Sequence, residues 1–358
     1  MSEVTIALDA MGGDRGPAEL VAGAAEAASE GVRVLLCGRE QELREIVRDA
    51  GDPDGLEVVD APDVIDFHDE PAAAVRARPA SSMVTACRLV REGRAGGAIS
   101  AGSTGAMLAA SLLTMGRIRG VHRPAVAAPL PAHGTPCILL DAGANSESRP
   151  ENLRQWGVMG AIFAEEVLGV ASPRVGLLSV GEEASKGPPE IVEAHRLLKE
   201  SGIDFAGNIE GRDALSGDVQ VIVSDGFSGN VLLKGLEGAG KMLMRELRDA
   251  ARSSRRAKLG ALLLLPALQG MRERIDPETY GGAYLLGVRG ISVIAHGNSS
   301  RRAIRNAVRV AAVGAEHDIV GRMAQRLGGG APGSDLQDGD PVNTVPHVRK
   351  SEIGETAP

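Results

Sequence analysis

Short apolar runs alternate with segments of helical period along most of this chain. Val4–Leu8, Val32–Cys37, Gly97–Ser100, Ala125–Pro129, Cys137–Leu140, Val175–Val180, Val219–Ser224 and Ile291–Ala295 are apolar runs closed by turn residues, which predicts strands. Apolar positions three and four apart predict helices over Pro17–Ser29, Glu40–Asp49, Asn152–Leu168, Glu190–Glu200 and Ser300–Arg326. Strands buried on both faces read as continuous apolar runs, and the helices between them supply the crossovers that parallel strands need. The alternation predicts an α/β protein with a doubly wound, largely parallel sheet covered on both faces. No fixed-period repeat interrupts it.

Two segments depart from the alternation. From Gly328 the chain is rich in Gly, Pro and Asp and loses its period, which predicts a disordered tail over 328–358 outside the chemistry. The body is then residues 1–327, as one large domain or two intimately joined subdomains. Within it, Leu236–Arg274 keeps a helical period with no strand between its parts, and reads as a projecting helical hairpin. Between Lys241 and Lys258 this hairpin holds seven basic and two acidic residues, a local +5 in a protein of net −8. A leucine run follows. Arg255, Arg256 and Lys258 suit anionic headgroups and Leu262, Leu263, Leu264 and Leu265 suit the acyl boundary of a membrane surface. The same leucines suit burial against a second copy in a homodimer, and both contacts are compatible if the base pairs subunits while the tip touches lipid.

Composition narrows the function. Hydrophobic content of 43% and charged content of 24% are those of a soluble globular protein. Aromatic content of 2% and a net charge of −8 leave neither stacking platforms nor a basic face for nucleic acid. Cys37, Cys87 and Cys137 form no C-x-x-C pair or disulfide framework, pointing to the cytoplasm and to packing roles, not nucleophilic ones. The first strand starts too near Met1 for a signal peptide, and no run reaches the roughly eighteen apolar residues of a membrane span.

The chemistry gathers where apolar runs empty into glycine. Five such turns stand out: Asp9–Asp14, Ser100–Ala106, Asp141–Asn145, Ser179–Gly187 and Ser224–Asn230. Strand ends of a parallel sheet line up along one edge, glycine lets backbone N–H groups approach a ligand, and helix N-termini favour anions. One composite anion site is therefore expected. Gly102, Ser103 and Thr104 offer amides and hydroxyls to an anion or cap the following helix. Gly143 and Asn145 offer a close backbone approach and an amide for a substrate oxygen. Lys186 offers a phosphate partner, or a salt bridge to Glu182 or Glu183. Asp225, Ser228, Asn230 and Lys234 crowd one strand-to-helix junction, and His296 closes another strand. The dinucleotide, P-loop and nucleophile-elbow signatures are all missing, as is any clustering of His or Cys at metal-ligand spacing; neither cofactor nor metal is expected.

These segments resemble the bacterial phosphate acyltransferase (PlsX) family. The resemblance rests on Ile6–Pro17, Ser100–Ala106, Leu140–Asn145, Val175–Gly187, Gly207–Asp213, Asp225–Lys234, Asp276–Ala283 and His296–Ser300, in order over residues 3 to 325. Departures are Ser103 and Ser179 where the family has Asn, Pro188-Pro189 where it tends to Asn-Glu, and Ala295 where it tends to Lys. The resemblance implies a fold similar to isocitrate and isopropylmalate dehydrogenases and phosphotransacetylases, as a homodimer. It also implies transfer of a fatty acyl group from acyl carrier protein to inorganic phosphate, feeding a membrane-bound glycerol-3-phosphate acyltransferase in phospholipid synthesis. Such an enzyme would be cytoplasmic and peripherally membrane-associated. Phosphate is already a nucleophile, so the protein need only hold it against the thioester and stabilise the oxyanion. Asp225, Asn230 and Lys186 are expected to carry that chemistry. The alternatives are a phosphotransacetylase acting on short acyl-coenzyme A, a metal- and NAD-dependent decarboxylating dehydrogenase, for which Asp225 lacks a second Asp three to five residues away to hold magnesium, and a non-catalytic membrane-associated scaffold that keeps only the fold.

Overall fold

The computed structural model describes residues 4–134, 136–264 and 276–328. Its first half is a run of strand–helix units. β1 (Thr5–Asp9), α1 (Pro17–Ala28), β2 (Arg33–Gly38), α2 (Glu40–Asp49) and β3 (Leu56–Asp60) are followed by α3 (Pro71–Ala77), α4 (Ser82–Arg91) and β4 (Gly97–Ser100). α5 (Thr104–Ala110) runs into a single π-helical turn at Ser111–Met115 before β5 (Ala125–Leu130) and β6 (Cys137–Leu140). Next come α6 (Pro150–Glu166), β7 (Val175–Leu178), α7 (Pro189–Lys199), β8 (Phe205–Ile209) and β9 (Val221–Val223). α8 (Gly226–Arg252), a helix at 255–264 (α9), β10 (Ala283–Leu286), β11 (Ile291–Ile294), α10 (Arg301–Glu316) and α11 (Ile319–Arg326) complete the described chain.

Among the described residues the strands form one sheet of eleven, ordered β3-β2-β1-β4-β11-β10-β5-β6-β9-β7-β8. Seven neighbouring pairs are parallel. β10 is antiparallel to both β11 and β5, and β5 to β6. Strand side chains alternate between two cores. Ile6, Leu8, Val34 and Leu36 face one, with Trp156 and Phe163 of α6, while Ala7, Leu35 and Cys37 face the other, with Met83 and Leu89 of α4. Both faces are covered, as the uninterrupted apolar runs require.

The expected elements are present with ends shifted by a residue or two, but the last helix is broken. Asp318 takes a left-handed φ of 47° and caps α11 by accepting from Gly321 N at 3.1 Å, which divides Ser300–Arg326 into α10 and α11. The hairpin also differs. Its first arm is continuous with the Asp225 turn, because α8 starts at Gly226 and not near Leu236. It turns at Ser253-Ser254 into α9, and Arg255, Arg256, Lys258, Leu262, Leu263 and Leu264 are all exposed. Leu265, the rest of the hairpin to 274 and the tail beyond Gly328 lie outside the described residues. Among the described residues no helix is long and apolar enough to cross a membrane.

Candidate functional site

Strand direction decides which turns can meet. β5 and β6 are joined by residues 131–136, enough for a hairpin and too short for a parallel crossover, so β6 runs antiparallel to β5 (Ala127 opposite Leu140, Leu130 opposite Cys137). Every strand beyond β6 follows its direction. The strands of the first half, with β11, therefore end at one edge of the sheet, and β6, β9, β7 and β8 end at the opposite edge. The single edge expected for all five turns is thus replaced by two.

At the first edge the turns at 9–14, 100–106 and 296–300 are tied together. Asp9 accepts from Met11 N (3.2 Å), Gly12 N (3.1 Å) and the Ser100 hydroxyl (2.6 Å), and Ser100 Oγ accepts from Gly102 N at 2.9 Å. Asp14 N donates to Gly297 O at 2.7 Å. The Asp9 carboxyl is buried with no ion-pair partner among the described residues, and burial raises its pKa above the ordinary carboxylate value despite its hydrogen bonds to Ser100, Ser82, Met11 and Gly12. Ser103 caps α5, its Oγ accepting from Ala106 N at 3.4 Å. Thr104 and His296 are exposed. Gly102, Ser103, Thr104 and His296 therefore belong to the first edge, whereas Asp225 follows a strand that ends at the second.

The second edge gathers the rest. Here β6, β9, β7 and β8 are consecutive neighbours, about 4.8 Å apart, so their four end turns form one row. Asp141, fully buried at the end of β6, is enclosed by donors. Its Oδ1 accepts from Val126 N (2.9 Å), Gly143 N (3.2 Å) and Ala144 N (3.0 Å), and its Oδ2 from Asn145 N (2.8 Å) and Nδ2 (2.9 Å). The Asn145 amide also donates to Pro124 O at 2.9 Å. Asn145 is buried with its donors committed, so it braces the turn and is not available to a substrate oxygen.

Next along the row, the end of β9 carries Asp225 into α8. Asp225 caps that helix, its Oδ1 accepting from Ser228 N at 2.9 Å. The helix start sits directly on the Asp141 turn, and two glycines permit it. A Cβ on Gly226 would lie 2.1 Å from Asn145 O, and one on Gly229 would lie 2.0 Å from Asp141 O. That seating exposes Ser228 and Asn230 and brings the Asn230 side chain against Gly143, whose φ of 129° strains any other residue. Asp225, Ser228 and Asn230 thus share one helix start, and it rests on the turn that holds Gly143 and Asn145.

Lys186 lies one strand further on, at the end of β7. It is exposed and enters no ion pair among the described residues; Glu182 pairs instead with Arg212, at 3.6 Å. Arg212 itself, at the end of β8, was not singled out from sequence, although it lies in the Gly207–Asp213 segment. A Cβ on Gly211 beside it would come within 3.8 Å of Leu232 Cδ1 of α8. Arg212 is also held by Glu210 at 3.4 Å and Asp213 at 3.7 Å, so the cation left for an anion at this edge is Lys186, beside the positive end of α8 and the neutral side chains of Ser228 and Asn230. No cysteine contributes: all three are buried, which pushes the thiols of Cys87 and Cys137 up to about 12 and raises Cys37 as well.

Comparison with known proteins gives the family and the fold. The fatty acid synthesis protein family profile matches residues 4–322. A phosphate acyltransferase of Heliobacterium modesticaldum is 49% identical over 327 residues, covering 90% of this chain and 98% of that protein. Among solved structures, a phosphotransacetylase from Streptococcus pyogenes aligns with a TM-score of 0.60 at 18% identity, over 88% of this chain and 94% of its own. A 4-hydroxythreonine-4-phosphate dehydrogenase from Klebsiella pneumoniae aligns at 0.51 and 15% identity, over 87% and 98%. The structures at these identities speak for the fold alone.

Proposed function

The chain belongs to the fatty acid synthesis protein family, whose relatives are phosphate acyltransferases, and from that premise we propose that it moves a fatty acyl group from acyl carrier protein to inorganic phosphate. The product is an acyl phosphate, consumed in phospholipid synthesis by a membrane-bound glycerol-3-phosphate acyltransferase. The observation that carries this reading is the second edge: an ammonium with no carboxylate partner among the described residues, an exposed amide and a helix N-terminus on adjoining strand ends.

Lys186 and the first N–H groups of α8 hold phosphate. A phosphate oxygen attacks the thioester carbonyl carbon, and the Asn230 amide donates to the oxyanion that forms. Collapse of that intermediate breaks the C–S bond and expels the carrier thiolate, which takes a proton from the phosphate or solvent. Ser228 offers a further hydroxyl, and Asp225 acts chiefly by holding the helix end in place. No enzyme nucleophile is needed, and the buried thiols offer none. Trapping an acylated side chain by single-turnover mass spectrometry would refute direct transfer.

The hairpin fits the same reading. Exposed Leu259, Leu262, Leu263 and Leu264 beside Arg255, Arg256 and Lys258 suit a homodimer whose tip rests on an anionic membrane, where a poorly soluble acyl phosphate can be handed on.

The deciding assay is phosphate-dependent release of free thiol from a long-chain acyl carrier protein, run beside the coenzyme A thioester. Preference for the coenzyme A donor would make the chain a phosphotransacetylase. In the same assay Asn230→Ala should lower turnover at least ~10-fold, while Thr104→Val and His296→Ala at the other edge should stay near wild type. The reverse pattern would move the chemistry to the first edge.

A further inference from the structure

Lys186 stands on a turn with little of its own to hold it. Residues 182–186 are all exposed, and a lysine ammonium on four methylenes is placed only as well as its backbone is. Two hydrogen bonds grip that backbone. Ser179 Oγ donates to Lys186 O at 3.1 Å, and Lys186 N donates to Glu183 O at 2.9 Å. Glu183 O accepts a second bond, at 2.9 Å, from the side-chain Nδ2 of Asn208 on β8. Asn208 is only 6% exposed, and its Oδ1 lies 2.9 Å from His195 Nδ1 of α7.

This amide has one orientation that satisfies both partners. Its NH2 must face the Glu183 carbonyl, which can only accept, so its oxygen faces His195 and the imidazole proton sits on Nδ1. The ring is fixed in turn by an edge contact to Phe205, with centroids 5.0 Å apart at 76°. His195 and Asn208 thus form a rigid bracket from α7 and β8 to the carbonyl that anchors the lysine turn.

We infer that Asn208 is a positioning residue for phosphate: acting through Glu183 O, it fixes where the Lys186 ammonium sits. This rests on the proposed role of Lys186. The residue touches no substrate, and its effect travels only through the turn. It therefore governs phosphate binding, not the acyl donor.

Asn208→Asp tests this with little change of shape. It keeps an acceptor for His195 but sets a carboxylate oxygen, without a hydrogen, against Glu183 O. Expected is a ~10-fold higher KM for inorganic phosphate, with kcat and the KM for the acyl donor within about twofold of wild type. Ser179→Ala, which releases the other end of the turn without touching the buried amide, should give the same pattern in smaller degree. Lys186→Ala should raise the phosphate KM at least as much, and adding Asn208→Asp to it should change nothing more. Full additivity, or a parallel rise in the donor KM, would show that Asn208 only stabilises the fold and would overturn the inference. An unchanged phosphate KM in Lys186→Ala would instead remove phosphate from this edge, and the bracket's role with it.

Discussion

Gly229→Ala puts the assembly of the site to its sharpest test, because it adds one methyl at the point where α8 rests on the Asp141 turn. The new Cβ would sit 2.0 Å from Asp141 O and 3.1 Å from its carbonyl carbon. Contacts under 3.0 Å are essentially never tolerated, and the obstacle is backbone held by Gly143, Ala144 and Asn145, not a side chain that can swing away. The start of α8 must therefore retreat by about 1 Å. Overpacking of this kind costs ~1–3 kcal/mol, against which the better helix propensity of alanine returns about 1 kcal/mol. The net loss is ~0–2 kcal/mol, modest for a domain of this size. Turnover is the stronger signal, because the retreat carries Asn230 away from Gly143 and a 1 Å misplacement can cost ~100-fold. Gly238→Ala, further along the same helix where an added Cβ meets nothing within 4 Å, is the matched control. It should be stabilised by up to about 1 kcal/mol with turnover unchanged. Chemical denaturation and thiol release measured on both variants separate the two positions. If Gly229→Ala keeps wild-type turnover, the seating of α8 on the Asp141 turn is not what positions Asn230, and the reasoning fails.

Three more outcomes follow from the contacts. Asp225→Asn keeps an oxygen to cap Ser228 N and should retain folding stability, whereas Asp225→Ala should lose about 1 kcal/mol in urea denaturation; if the two unfold alike, Asp225 is not a working cap. Asp9→Asn tests linkage. The raised folded-state pKa means that the native state holds its proton longer than the unfolded chain, so the carboxyl's contribution is full below its ordinary value of 3.8 and is lost as pH rises through the folded value. The stability gap between wild type and Asp9→Asn should therefore move in the variant's favour as pH is raised from 3.5 toward neutrality, on the order of 1.4 kcal/mol per pH unit within that window; a gap independent of pH refutes it. Charge reversal in Arg255→Glu/Arg256→Glu should weaken flotation with anionic liposomes at low salt and leave thiol release from a soluble donor intact; unchanged flotation removes the electrostatic contact.

Legibility from sequence divides along a physical line. Strands of continuous apolar residues, such as Gly97–Ser100 and Cys137–Leu140, were readable to the residue, because burial on both faces leaves no polar position to confuse the pattern. β8 was not, since Phe205–Ile209 carries Gly207 and Asn208 in its middle, and Asn208 is there to reach Glu183. β3 lies at the sheet's edge with its side chains only half-buried, so its pattern was weak as well. The local chemistry of the Asp225 turn was legible, because cap, glycines and amide all lie within six residues of one strand end. What escaped was the relation between turns, which depends on strand direction.

That relation has a signal in the chain after all. Only residues 131–136 separate β5 from β6, and so short a connection cannot return a chain over the face of a sheet. The loop length by itself reverses β6 and, with it, every strand that builds on β6. It thereby sets Asp141 and Asp225 opposite Asp9 and Ser100. The roles of the two aspartates at strand ends follow the same logic. Asp9 and Asp141 each close a strand and each accept the backbone N–H groups of their own turn, so they organise the two edges in parallel. Each edge presents an exposed amide, Asn298 at the first and Asn230 at the second, but Asn298 accepts from Arg15 Nε at 2.9 Å, and the second edge alone adds a lysine with no ion-pair partner among the described residues. That difference, not the glycines common to both, is what makes it the candidate for phosphate.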